Sequence, residues 1–277
     1  MKKWDAKSAR EYVAIPSELD HKYSRGVLGI VTGSARFPGA AVLTTTAATR
    51  TGLGMARFHS NSGLAHLVLH AAPEVVVQPG RVDAWLIGSG IEVNPYADIT
   101  TWLRHRWFVH ARRQTVPTLL DAGGLTLAGK LTQPTLITPH AGELARLLNK
   151  RDIKVSAEGI EGDPKKWAVE ASLNLGVTVL LKGATTYVAD GNSLIQLPTA
   201  TPYLATAGSG DVLAGIIGAL MATNYVEILN DPTVLADIAA TGAFIHSSAA
   251  TLASAKAPIN APMIVEAISP ALRALLK

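Results

Sequence analysis

Short continuous aliphatic runs recur along the chain. Each closes on a glycine or polar turn, and most are followed by a longer stretch of small and mixed residues with helical spacing. Residues 26–33 (GVLGIVTG) read as a strand ending in a glycine turn, and residues 40–51 (AAVLTTTAATRT) suit an Ala-rich helix. Residues 67–69 and 75–77 are expected as short strands, and 84–87 (AWLI) as a buried strand in front of Gly88-Ser89-Gly90. The same pattern gives strands at 118–120, 135–137 and 177–181, which end at Asp121, Thr138-Pro139 and Lys182-Gly183. Residues 186–189 and 194–197 flank Asp190-Gly191 and predict a hairpin. The last third is expected to be helical, over 211–223, 233–255 and 262–275.

Strands that are apolar throughout, rather than alternating, are buried on both faces, and strands separated by helices run parallel. The predicted fold class is therefore α/β, a central and mostly parallel sheet with helices on both faces, built by residues 1–277 as one domain. Such sheets bind ligands beyond the carboxyl ends of their strands. The polar punctuation falls there: Gly33-Ser34, Gly88-Ser89-Gly90, Asp121, Thr138-Pro139-His140 and Lys182-Gly183.

Composition acts mainly by exclusion. The chain has 277 residues, 48% of them hydrophobic, enough for a full core. Lys plus Arg is 25 and Asp plus Glu 21, a net charge of +4 that does not single out nucleic acid. The absence of cysteine excludes disulfides and thiolate metal sites. The first twenty residues are charged throughout, unlike a signal peptide, and the longest apolar run, residues 212–222, is 11 residues, too short for a bilayer. A cytoplasmic protein with no membrane partner is expected.

Four segments carry candidate chemistry. In Gly208-Ser209-Gly210-Asp211, glycines let backbone amides approach a ligand, and the helix that follows points its free N–H groups at an anion. Asp211, held ionised by the positive helix end, could take a proton from a hydroxyl attacking phosphorus; the ordinary alternative is an N-cap. The small residues Ala214, Gly215, Gly218, Ala219 and Ala222 point to close helix packing against the sheet. Lys182-Gly183-Ala184-Thr185-Thr186 could hold a nucleotide phosphate or ribose, or be a surface turn, and lacks the Walker A spacing. His140 could donate to a ligand and Glu143 could cap the next helix or help organise a metal ion; no zinc-ligand spacing surrounds His140. The basic stretch 104–113 (RHRWFVHARR) reads as the wet face of a helix whose Trp102, Leu103, Trp107 and Phe108 pack inward.

ITPHAGELARLL, VLLKGATTYVADG and LATAGSGDVLAGIIGAL, in this order, resemble the NAD(P)H-hydrate dehydratases of the ribokinase-like superfamily. HKYSRGVLGIVTGSARFPGAAVLTTTAATRTGLG is similar to their N-terminal segment, and the likeness extends over residues 20–270. It implies removal of water from hydrated NADH or NADPH, driven by ADP (or ATP) with Mg2+. Asp211 would be the catalytic base, and the amides of Gly208, Ser209 and Gly210 would stabilise the transferred phosphoryl group. Ala40, Ala41, Gly90, His140 and Asp211 would line the hydrated-nicotinamide pocket. Lys182, Gly183, Ala184, Thr185, Thr186 and Gly210 would contact the nucleotide. It further implies a homo-oligomer, a tetramer in many relatives, with epimerisation of the hydrate supplied by another chain or spontaneous. Residues 197–203 (LPTATPY) depart from the family's N-P-T-G-N-x-G, and Tyr203 stands where a glycine is usual. Because the GSGD turn is shared with kinases of small alcohols such as hydroxymethylpyrimidine or hydroxyethylthiazole, such a kinase is the alternative. A non-catalytic nucleotide sensor is a third.

Overall fold

The structure, a computed structural model, describes residues 1–277. Its strands are β1 (Lys2–Lys3), β2 (Val27–Val31), β3 (Met55–Phe58), β4 (Ala84–Ile87), β5 (Thr118–Leu120), β6 (Thr135–Ile137), β7 (Thr178–Leu181), β8 (Tyr187–Asp190) and β9 (Ser193–Gln196). All nine join one sheet in the order β1-β9-β8-β7-β6-β5-β4-β2-β3. Every ladder is parallel except those of the β7-β8-β9 meander. In that hairpin Asp190 pairs with Ser193, so Gly191-Asn192 forms the turn, with Gly191 at φ +53°.

Twelve helices cover the sheet. On one face lie α1 (Ala6–Arg10), α2 (Pro38–Thr51), α3 (Ser62–Ala71), α9 (Ser209–Thr223), α10 (Tyr225–Asn230), α11 (Val234–Ser254) and α12 (Ala261–Leu275), packed on Leu28, Ile30, Leu86, Leu119, Leu136 and Leu180. On the other lie α4 (Ile99–Trp107), α5 (Val109–Arg113), α6 (Ala141–Asn149), α7 (Ala157–Gly162) and α8 (Pro164–Leu175), packed on Val31, Trp85, Ile87, Leu120, Ile137 and Val179. Successive residues of each strand thus feed opposite cores, which is why the strands read as unbroken apolar runs. None of the helices is long and apolar enough to cross a membrane.

The small residues of α9 serve packing: Gly218 lies against Leu28 and Leu86 of the sheet, as expected, but the closest approach is to another helix. A Cβ on Gly215 would come within 2.3 Å of Thr44 O and 2.8 Å of Ala47 Cβ, so α2 and α9 meet backbone to backbone there. On the other face Gly29 makes room for the Trp85 indole beside it in the ladder.

Two expectations fail and a third holds only in part. Residues 67–69 are not a strand but part of α3: Asn61 accepts from Leu64 N at 3.1 Å, and the helix buries Leu64, Ala65 and Val68. Residues 75–77 supply only a single bridge, Val76 to Arg57, beside β3, an alternating half-buried strand that the pattern did not reveal. On α4 and α5 the expected face holds only in part: Trp107 and Phe108 pack inward and Arg106, Arg112 and Arg113 face out, but Trp102, Leu103 and Arg104 do not follow it. Trp102 and Leu103 are 39% and 45% exposed, whereas Arg104 is buried at 2%. The inward positions are Thr101, Arg104, Phe108 and Ala111, a helical 3-4-3 spacing. Arg104 turns inward because carbonyls at the ends of β2 and β3 lack donors. It donates to Gly33 O (Nε, 2.9 Å), His59 O (Nη1, 2.8 Å) and Thr32 O (Nη2, 2.6 Å).

Candidate functional site

Five neighbouring strands end side by side, and residues one or two positions beyond them form one row: Lys182 after β7, Thr138 after β6, Asp121 after β5, Ser89 beyond β4 and Gly33 beyond β2. Asp121, 5% exposed, sits at the centre. Its Oδ1 accepts from Thr138 Oγ1 at 2.9 Å and Lys182 Nζ at 3.0 Å, and its Oδ2 from Ser89 Oγ at 2.8 Å. Lys182 Nζ also lies 3.8 Å from Glu143 Oε2. Burial alone would lower the Lys182 pKa, but Asp121, Glu143 and Asp211 outweigh it and hold the ammonium above its ordinary value. The chain thus fixes a cation at the strand ends without neutralising it by loss of its proton.

His140 opens α6 through a reciprocal cap. Its Nδ1 accepts from Gly142 N at 3.1 Å and Glu143 N at 3.4 Å, while Glu143 Oε2 accepts from His140 N at 2.9 Å. The capping reading of Glu143 holds, and the exposed His140 side chain, with Nδ1 spent on the cap, lines a cleft of about 860 Å³. That cleft also takes in Lys182, Gly183, Ala184, Thr186, Gly210 and the 199–206 segment. Thr185 lies just outside its wall, where its hydroxyl pairs with that of Thr199 at 3.3 Å. Tyr203 does not narrow the cleft. Its hydroxyl donates to Lys256 O at 2.9 Å, beyond the end of α11.

Gly208 is the N-cap of α9 at φ +86°, a conformation that favours glycine, and no side chain caps the helix. Asp211 is therefore not the cap. Its carboxylate makes no hydrogen bond within the chain, although it stands in the first turn. The expectation that the helix end keeps it ionised is corrected. Burial, and then the negative charge of Asp121, push Asp211 up to about 7, against the pull of Lys182. Ser209 N is spent on Thr206 O at 3.3 Å, whereas the amides of Gly208, Gly210 and Asp211 have no partner. The open amides are thus not those of Gly208, Ser209 and Gly210 but of Gly208, Gly210 and Asp211. A Cβ at Gly210 would stand 3.7 Å from Lys182 Nζ, so the turn and the lysine face one another.

Ala40 and Ala41 are buried, and their side chains present no open surface. A Cβ on Gly90 would lie 2.3 Å from Ala40 Cβ, and one on Gly33 2.6 Å from Ala41 Cβ. What these residues can offer a ligand is backbone. The structure draws into the site Asp121, Ser89 and Thr138, to which the sequence assigned a strand-end position but no role, and sets Glu143, in the first turn of α6, beside Lys182. It also adds His246 of α11, whose Nε2 lies 3.3 Å from Ser209 Oγ and whose pKa burial lowers to about 4. Nothing in the sequence pairs residues 37 positions apart in that way.

Fixed cation, open amides and an unbonded carboxyl near neutrality are the parts needed to accept a phosphoryl group and a proton. Comparison with known proteins agrees. The family described as NAD(P)H-hydrate dehydratase matches residues 28–270. The bifunctional NAD(P)H-hydrate repair enzyme Nnr of Mycobacterium tuberculosis is 40% identical over 225 residues, covering 76% of this chain and 43% of that one. The chain thus spans about half the length of several curated relatives it matches. The ADP-dependent (S)-NAD(P)H-hydrate dehydratase of Neisseria meningitidis is 31% identical over 281 residues, 93% of this chain and 87% of that one. In fold, the chain superposes on the ADP/ATP-dependent NAD(P)H-hydrate dehydratase of Bacillus subtilis, co-crystallised with ATP/Mg2+, with a TM-score of 0.83 at 22% identity, over 99% of this chain and 98% of that one. With strand-end chemistry, topology and sequence in agreement, the chain belongs to the NAD(P)H-hydrate dehydratase family.

Proposed function

We propose that the protein removes water from hydrated NADH or NADPH at the expense of a nucleotide's terminal phosphate, and that residues 1–277 act as one catalytic unit. The observation that carries this reading is Asp211: an unbonded, half-buried carboxyl with a pKa of about 7, facing Lys182 across open backbone amides. Hydroxide is a poor leaving group and a phosphate ester a good one. The ring hydroxyl attacks the terminal phosphorus, Asp211 takes its proton, and the nucleotide departs one phosphate shorter. The phosphate then leaves the ring with the C–O electron pair, and the neighbouring ring carbon gives up a proton, restoring the dihydronicotinamide. Lys182 and the amides of Gly208, Gly210 and Asp211 hold the phosphoryl charge. His140, Gly90, Ala40 and Ala41, the last two through their backbone, bound the hydrated ring. Gly183, Ala184, Thr185 and Thr186 bound the nucleotide. The support for the nucleotide site is the cleft that Lys182, Gly183, Ala184, Thr186 and Gly210 share.

No group of three His, Asp or Glu side chains could cage a metal ion. That donor set fits Mg2+ carried on the nucleotide's phosphates, an ion that binds through few protein ligands. Glu143, beside Lys182 and with Oε1 unengaged, is the carboxylate placed to help hold it. When bound, it would screen phosphate charge. On the same reading the protein works in the cytoplasm as a homo-oligomer, up to a tetramer. The exposed apolar side chains Tyr96, Ile99 and Leu103 support an assembly, which light scattering would measure.

The test is to incubate the protein with hydrated NADPH and ADP, or ATP, and follow the absorbance of the reduced nicotinamide. Recovery is expected, with kcat/KM rising through an ionisation near pH 7 as Asp211 loses its proton. No recovery with either nucleotide, or accumulation of a stable phosphorylated alcohol from a pyrimidine or thiazole substrate instead, would overturn the reading.

A further inference from the structure

A second pocket, of about 250 Å³, opens between the short turn Ala122–Leu127 and α6. Four cations surround it: Lys130, Arg146, Lys150 and Arg151. None of the four is ion-paired within the chain. Arg151 donates to Ala128 O at 3.3 Å, and the others make no side-chain hydrogen bond. The one carboxylate in the wall, Glu143, is already engaged on Oε2 by the His140 amide at 2.9 Å and lies 3.8 Å from Lys182. Like charges gathered around a small concavity repel one another and raise the local concentration of anions. Fold stability gains nothing from this arrangement, and a bound anion does.

The position says which anion. One end of the pocket, at Val93, Leu125 and Glu143, adjoins the strand-end row, and the other, at Lys150 and Arg151, lies past the far end of α6. Val93, in its wall, is three residues beyond Gly90, and Leu125 is four beyond Asp121. It shares no wall residue with the cleft that holds Lys182, Gly183 and Gly210. A mononucleotide seated in that cleft therefore leaves this pocket open. A dinucleotide whose nicotinamide sits by Gly90 and Asp211 would reach these cations by extending along α6, about 10 Å from Glu143 to its C-cap Lys150, a span an extended dinucleotide bridges.

We infer that this basic pocket binds the phosphate groups at the adenosine end of the hydrated dinucleotide, and so favours the form carrying a 2′-phosphate. The inference rests on the dehydratase reading above. Its test is a binding measurement that does not depend on turnover. Adenosine 2′,5′-bisphosphate is titrated calorimetrically into the full chain with the main cleft saturated by ADP. Wild type is expected to bind it, more weakly as salt rises. Arg146→Gln/Lys150→Gln should weaken binding about tenfold or more, and Arg146→Lys/Lys150→Arg should retain it, with ADP affinity and Tm unchanged in both. Failure of the probe to bind in the presence of ADP, or binding that the Gln pair leaves unaltered, overturns the inference. Loss of dehydration with this binding intact would instead strike the activity alone.

Discussion

Asn at position 211 keeps the shape of the side chain and removes its charge, so it separates what Asp211 does for the fold from what it does for chemistry. Burial and Asp121 raise the carboxyl from 3.8 to about 7. An acid whose folded-state pKa lies above its unfolded value keeps its proton longer when folded. Its contribution is complete below about pH 4 and is lost as pH rises to about 7. At about 1.4 kcal/mol per pH unit, ionised Asp211 costs the fold up to about 4 kcal/mol. Water reaching the carboxyl and relaxation around it reduce this to about 1–3 kcal/mol. Asp211→Asn is free of that cost. At pH 8 the variant should therefore melt about 2–10 °C above wild type, with the gap closing toward pH 4. Its turnover should fall about 10²–10⁴-fold. Thermal melts at pH 5 and pH 8, paired with the dehydration assay, measure both. An Asn variant no more stable than wild type at pH 8, or one equally shifted at both pH values, would refute the electrostatic argument. Retained turnover would refute the role of the base.

Other substitutions probe the rest of the structure. His59, 3% exposed, leaves both ring nitrogens unbonded, and burial lowers its pKa to about 4. It contributes stability above about pH 6.5 that is lost as pH falls toward 4, so His59→Phe should flatten the loss between pH 8 and pH 5 by up to about 2 kcal/mol in urea titrations. Arg104→Leu strands the carbonyls of Thr32, Gly33 and His59 and should cost about 2–4 kcal/mol, whereas Arg106→Ala, on the exposed face, should stay within about 0.5 kcal/mol. Gly215→Ala drives a Cβ into Thr44 O and should destabilise by about 1–3 kcal/mol. Gly210→Ala has room and should melt near wild type, yet raise the nucleotide KM by partly filling the space before Lys182.

The strands at 118–120 and 135–137 were legible to the residue, because a strand buried on both faces carries aliphatic side chains between its turns, and the threonine that opens each bonds its hydroxyl to the backbone two residues earlier. The Asp190-Gly191 hairpin and α9 were legible for equally local reasons: a turn needs its glycine, and a helix packed at backbone contact needs small residues. Where local chemistry and tertiary demand part, the pattern misleads. Residues 67–69 carry strand-like side chains, but the Asn61 cap and the face buried against the core make them α3. Arg104 looks like solvent-facing charge until the unpaired carbonyls ending β2 and β3 are brought beside it.

The candidate site divides in the same way. Gly208, Gly210, Asp211, Lys182 and His140 announce themselves because each is a chemically unusual residue at the end of an apolar run. Their convergence, the threefold-bonded Asp121 at their centre, and His246 behind Ser209 depend on strand order, which no local pattern encodes. The ionisation of Asp211 shows the difference most directly. Its place in the first turn of α9 was fixed by the sequence and argues for a carboxylate held ionised. Its burial beside Asp121, brought there by adjacent folding of β5 and the α9 turn, argues the reverse and prevails. Desolvation and a neighbouring like charge act at full strength in a poorly hydrated pocket, whereas a helix end offers only a partial charge.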